Sequence, residues 1–221
     1  MIWDLDEGFD DDRHQCIFFP QAHLRKEHMK VSKAKVQENR ARIVEVASGL
    51  FRERGYDGVG IADLMSSAGF THGGFYKHFK SKADLMSEAA AFSLDQTAAR
   101  AEGADPAGFM EQYMSRAHRD ARGAGCTMAA LCGDAARQSA DVQAVFAAGV
   151  ENLLHSLGGG TTAIADQGAA AVRARNMDVL ARAVGAVVLS RACPDDSTLA
   201  EEILEVCRAR ALADLSDTKQ K

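Results

Sequence analysis

No apolar run among the 221 residues is long enough to cross a bilayer as a helix. Cysteine is sparse and unpatterned. The five (Cys16, Cys126, Cys132, Cys193, Cys207) are odd in number and show no Cys-x-x-Cys or zinc-finger spacing, which argues against a disulfide framework or a structural zinc site. An intracellular chain keeps such thiols reduced. No nucleophile elbow, phosphate loop or metal motif occurs. The histidines are scattered, and His118 and His155 have no carboxylate or cysteine at motif spacing. Gly158 to Gly160 lacks both a preceding strand and the glycine spacing of a nucleotide fingerprint. Neither an enzyme nor a cofactor is expected. Residues 1–28 are acidic with one short apolar patch, Cys16 to Pro20, and lack the positive start and longer apolar segment of a secretory signal. They are expected to be a disordered extension, or to precede a natural start at Met29.

Strand-like alternation is also missing, so the expected class is all-α. The stretch Ile61 to Phe79 carries the most information. Ile61, Leu64, Met65 and Ala68 give one apolar helix face, and Gly69 supplies the positive φ that ends the helix sharply. Thr71 is a good N-cap for a second helix that buries Phe75 and Phe79. That helix leaves Thr71, His72, Gly73, Tyr76, Lys77 and His78 for something outside. A helix, a glycine turn and a short polar helix is the plan of a DNA-reading helix-turn-helix. Upstream, Ile43, Ala47, Leu50 and Phe51 form the stripe of a first helix flanked by Arg40, Arg42, Arg52 and Arg54, and Gly55 follows its last turn. Downstream, Ser81 caps a fourth helix with Asp84 three residues on, and Lys82 in its first turn opposes the dipole unless a phosphate sits there. From Lys30 to Lys82 ten Lys/Arg face five acids, a net of +5 in a chain of −5 that leaves −10 elsewhere. A basic head on an acidic body suits a protein with one nucleic-acid-binding region.

These segments, Ala41 to Tyr56, the hairpin, and Phe79 to Leu85, resemble the TetR family of transcriptional regulators in order and spacing. The resemblance implies an N-terminal three-helix DNA-binding domain (29–82) and a C-terminal helical ligand-binding and dimerisation domain (83–221). It implies a cytoplasmic, ligand-released repressor that binds a palindromic double-stranded operator as a homodimer, with an effector of unknown identity. His72 is the candidate base reader. Gly73 and Gly74 serve close approach to DNA or packing on the first helix, two readings that stand equal. Tyr76, Lys77, His78 and Lys82 are candidate phosphate contacts, and Arg42 and Gly60 complete the DNA-facing set. Two departures bear on the operator sequence: Val59-Gly60 where Ser or Thr is frequent, and His72-Gly73-Gly74 where Lys-Gly-Thr is frequent.

After Asp84 the pattern stays helical. Asp105-Pro106 opens a helix, Gly123 to Gly125 breaks the chain, and helices are expected over 127–138, 141–157, 162–192 and 197–212. Family members pair their last two helices with a second copy. That assigns Leu180, Val184, Val187, Val188, Leu199, Ile203 and Val206 to a dimer interface, unless these stripes pack inside the monomer. A ligand cavity would be lined by Phe92, Met110, Tyr113, Met114, Met128 and Leu131. Cys126 stands at a loop-to-helix junction, where a helix N-terminus favours a thiolate, so an alternative is a redox- or electrophile-sensing regulator. An adaptor that uses the basic face for a protein partner is another.

Overall fold

The computed structural model describes residues 33–157 and 167–216. The expectations about residues 1–28, Met29 and the glycines 158–160 fall outside them. Among the described residues there are α-helices and 3₁₀ turns but no strand, and no helix is long and apolar enough to cross a membrane.

Helix α1 (Lys33–Arg54) buries Ile43, Val44, Ala47, Ser48 and Phe51 on one face and carries Arg52 and Arg54 in its last turn, where cations complement the dipole. Gly55, at φ +73°, closes it, donating its N–H to the Phe51 carbonyl at 2.8 Å. Helix α2 (Ile61–Ser67) starts at Gly60 and ends in a Schellman turn: Phe70 N–H bonds the Met65 carbonyl and Gly69 N–H the Ser66 carbonyl, with Gly69 at φ +84°. The next segment departs from expectation. His72–Lys77 is a 3₁₀ helix, closed by Gly74 N–H to Thr71 O and His78 N–H to Phe75 O, and the Thr71 hydroxyl caps nothing. Two successive glycines remove the propensity an α-helix needs, and six residues suit the tighter form. Phe75 and Phe79 are nonetheless buried, their rings 5.5 Å apart.

Helix α3 (Lys82–Ala101) is capped as its sequence indicates: Asp84 N–H donates to Ser81 Oγ, and Lys80 N–H to the Asp84 carboxylate. It runs from the hairpin into the body and packs along α7 (Ala140–Leu157). At that seam a Cβ on Gly149 would lie 2.6 Å from Leu94 Cδ1, so only glycine admits the close approach. Asp105 caps α4 (Pro106–Tyr113) with Pro106 at its first position. A short helix follows that periodicity did not reveal, α5 (Arg116–Asp120), then a 3₁₀ turn at Arg122–Ala124. Helix α6 (Thr127–Ala135) is shorter than expected. Helices α8 (Gln167–Ala192) and α9 (Thr198–Ser216) pack on each other, pinned by Ser190 Oγ donating to the Ala200 carbonyl. Arg119, 3% exposed, satisfies the end of α8 by donating to the Ser190 and Cys193 carbonyls while pairing with Asp120 and Asp195.

Candidate nucleic-acid interface and adjoining cavity

The hairpin presents a polar surface on a fixed base. Arg42, Gly60, Thr71, His72, Gly73 and Lys77 are exposed, and Tyr76 is 66% exposed although its ring meets Phe75 edge-on at 5.2 Å. A Cβ on Gly73 would meet nothing within 4 Å, and one on Gly74 only ordinary contacts with Met65 Cε and Thr71 Oγ1. Neither glycine is therefore demanded by packing on the first helix, one of the two readings of the pair. Lys82 is part-buried and donates Nζ to the Tyr56 carbonyl at 2.5 Å, which leaves its ammonium two further N–H groups.

His78 differs from expectation. Its Nδ1 is buried without a hydrogen-bond partner. Burial, then the charges of Arg40 and Lys77, holds its pKa below the usual 6.5. Arg40, one of the arginines flanking the first helix's apolar stripe, fastens this corner. It donates to the His78 carbonyl, pairs with Glu88 on α3 and lies 4.3 Å above the Phe79 ring. Nothing local signals a bond made 38 and 48 residues away.

Residues 115–126 form a strap between hairpin and body. Arg52 on α1 donates Nε and Nη2 to the Gly123 carbonyl at 2.9 and 2.6 Å, and Nη1 to Ser93 Oγ on α3. The strap is closed by one imidazole. His118 Nδ1 lies 2.5 Å from the Tyr113 carbonyl, and its Nε2 accepts from Cys126 N–H at 3.0 Å. These partners require the neutral Nδ1–H tautomer. Burial lowers the His118 pKa, outweighing the bond to Tyr113 that raises it. Nearby, Tyr56 N–H bonds Asp134 on α6, a second tie between hairpin and body.

The two histidines set a pH dependence. Both have folded pKa values below 6.5, so the unfolded chain takes up protons first as pH falls. Stability is therefore expected to be complete above about pH 6.5 and to decline as the pH falls below it. Chemical denaturation midpoints from pH 7.5 to 5 test this. A His118→Gln variant should show a shallower decline, and an unchanged profile would refute the assignment to His118.

Between α3, α4 and the strap lies a cavity of about 590 Å³ lined by Thr97, Arg100, Phe109, Gln112, Tyr113 and His118 among others, within the range of small-molecule sites. Of the expected lining residues only Tyr113 takes part. Met110, Met114, Met128 and Leu131 are buried in the core, and Phe92 is partly buried against it. Cys126 is on the cavity wall but 2% exposed, which shields its thiol. The α8/α9 set also divides. Leu180 and Val187 are buried in the chain's own core, and Val184 and Ile203 are partly buried. Val188, Leu199 and Val206 are 44, 53 and 57% exposed, joined by Met177 and Leu189, which periodicity did not single out.

A glycine-turned hairpin with a basic, polar outer face, on a helical body that holds a cavity, has the architecture of a helix-turn-helix head on a helical body. Residues 43–89 match the model of bacterial regulatory proteins, tetR family. The chain is 40% identical over 57 residues to the HTH-type transcriptional regulator AcrR of Shigella flexneri, 26% of each chain. It is 38% identical over 90 residues to the HTH-type transcriptional regulator TtgR of Pseudomonas putida, 38% of this chain and 42% of that one. It thus spans between about a quarter and two-fifths of the length of these curated relatives. Escherichia coli NemR in its reduced form superposes with a TM-score of 0.61 at 17% identity, over 79% of this chain and 95% of that one. A tetR-family regulator from Streptomyces coelicolor does so at 0.60 and 21%, over 82% and 83%. At those identities the likeness is one of fold. Residues 43–89 are thus similar to the DNA-binding segment of tetR-family regulators, and the rest of the chain shares their fold.

Proposed function

We propose that this chain is a sequence-specific DNA-binding repressor, released from a palindromic operator by a small molecule and acting in the cytoplasm as a homodimer. The observation that carries the reading is the outward row Thr71, His72, Gly73, Tyr76 and Lys77, held on buried Phe75 and Phe79. In this reading residues 29–82 read the DNA and 83–221 hold ligand and partner. His72 reads base edges, and Tyr76, Lys77, His78 and Lys82 set register on phosphates, with Arg42 and Gly60 beside them. Exposed Val188, Leu199 and Val206 form the partner face. Ligand in the cavity displaces the strap, and Arg52 passes the displacement to α1. This works only if the ligand binds the two head positions with different affinity.

Selection of bound sequences from a random duplex library, with the full chain at physiological salt, tests the reading. A recovered palindrome whose affinity falls steeply with salt supports it. A folded protein that enriches nothing would instead favour the adaptor. Gly73→Ala sharpens the test. The space around Gly73 is open, so alanine should leave thermal stability unchanged or slightly raised while weakening operator binding roughly tenfold through lost backbone approach, about 1.4 kcal/mol. Unchanged affinity in an anisotropy titration would remove Gly73 from the interface.

A further inference from the structure

The cavity walls combine an aromatic run with an exposed guanidinium, Arg100, that has no carboxylate partner among the described residues. Phe109 and Tyr113, one turn apart on α4, have ring centroids 6.1 Å apart, and Tyr113 and His118 4.6 Å. Arg100, in the last turn of α3, also lines the cavity. Its hydrogen bond is a long one, 3.4 Å to Thr97 Oγ1, and no carboxylate among the described residues pairs with it. Two further guanidinium groups hold the strap behind this wall. Arg52 bonds Gly123 O and Ser93 Oγ, and Arg191 bonds the carbonyls of His118 and Arg119. Carbonyl and hydroxyl oxygens satisfy their N–H groups without cancelling their charge. His118, held neutral by its two bonds, neither adds to the field nor opposes it. Among the described residues the one acid lining the cavity is Asp105, whose carboxylate accepts from the Gly108 N–H at the cap of α4.

A cavity with aromatic walls and a net positive surround is chemically selective. A neutral apolar ligand gains the ring contacts but leaves the exposed Arg100 guanidinium to water alone. A cation adds repulsion. An anion with a flat body satisfies both features, because the planar fork of arginine matches a carboxylate in bidentate fashion and the rings offer offset stacking. We infer that the effector is a small aromatic acid, its ring against Phe109 and Tyr113 and its carboxylate on the Arg100 guanidinium. This rests on the reading of the cavity as the effector site.

The test uses three aromatic acids of increasing size (benzoate, 2-naphthoate and biphenyl-4-carboxylate), each against its uncharged amide, titrated calorimetrically into the full chain without DNA. At least one acid is expected to bind about tenfold or more tightly than its amide, with the preference shrinking at high salt. Arg100→Gln should bring the acid-to-amide ratio close to one, and Arg100→Lys should restore part of it. Melting temperatures of both variants verify that they fold. Amides binding as well as acids, a preference that survives in Arg100→Gln, or no binding of any acid at millimolar concentration would each overturn the inference. Operator affinity of the same preparations is measured separately. Loss of acid preference with intact operator binding refutes the effector class alone, whereas absent operator binding refutes the repressor reading and leaves the acid preference standing or falling by itself.

Discussion

Replacing Val188 with glutamate is expected to give a folded monomer that binds its operator at least about a hundredfold more weakly than the parent chain. Met177, Val184 and Val188 recur at spacings of seven and four along α8, and Leu199, Ile203 and Val206 recur along α9, so each helix carries an apolar stripe in addition to its core face. Met177, Val188, Leu199 and Val206 are exposed in the single chain. A second copy covering them would bury Val188, and a carboxylate there would lose its hydration against an apolar partner surface. In the single chain Val188 is 44% exposed, so the same carboxylate stays in water and the fold survives. Leu180→Glu supplies the contrast: Leu180 is 5% exposed in the chain's own core, and that variant should fail to fold. Sedimentation equilibrium reads the oligomeric state, and anisotropy on a two-half-site duplex reads the affinity. A Val188→Glu protein that stays dimeric would move the interface elsewhere. A monomer with undiminished affinity would mean that one hairpin suffices.

What could be read from the sequence and what could not follow one physical division. Local chemistry was legible. Gly55 and Gly69 stand where positive φ is required, Ser81 with Asp84 and Asp105 with Pro106 form the caps their order implies, and Phe75 and Phe79 are buried. Distinctions that depend on what lies across a gap were not. Met110, Met114 and Tyr113 share an apolar helical pattern, but only Tyr113 meets open space. Periodicity reports which face is apolar, not whether atoms or a cavity stand opposite it. For the same reason Leu180 and Val187 could not be told from Val188 on α8. A period of three against 3.6 is not resolvable over His72–Lys77, so the 3₁₀ geometry went unread. The arginine-to-carbonyl bonds were the least visible, since Arg52 to Gly123 and Arg119 to Ser190 each span 71 residues. In sequence an arginine of this kind is indistinguishable from a solvated one.

Arg52→Ala should separate DNA binding from its control by ligand. Its guanidinium is the direct polar link from α1 to the strap, reaching Gly123 O and, on α3, Ser93 Oγ. Burial, then the Arg100 charge, holds its pKa below the ordinary arginine value, yet no residue of this type deprotonates near neutral pH. It therefore acts as a permanent charged donor. Removal strands the Gly123 carbonyl, whereas Ser93 Oγ keeps the Thr127 hydroxyl at 2.7 Å. The loss of charged hydrogen bonds should cost about 2–4 kcal/mol of stability, measurable from denaturant midpoints. The hairpin itself keeps its other fasteners, Arg40 to Glu88 and Tyr56 N–H to Asp134. Operator affinity without ligand should accordingly change by less than about threefold, under roughly 0.7 kcal/mol. Ligand that still binds the cavity should no longer weaken operator binding, because displacement of the strap has lost its grip on α1. Arg52→Lys, able to reach one of the two oxygens, should recover part of the response. If Arg52→Ala remains fully ligand-responsive, the strap does not carry the signal. Coupling would then have to run through α3, the helix shared by hairpin and body.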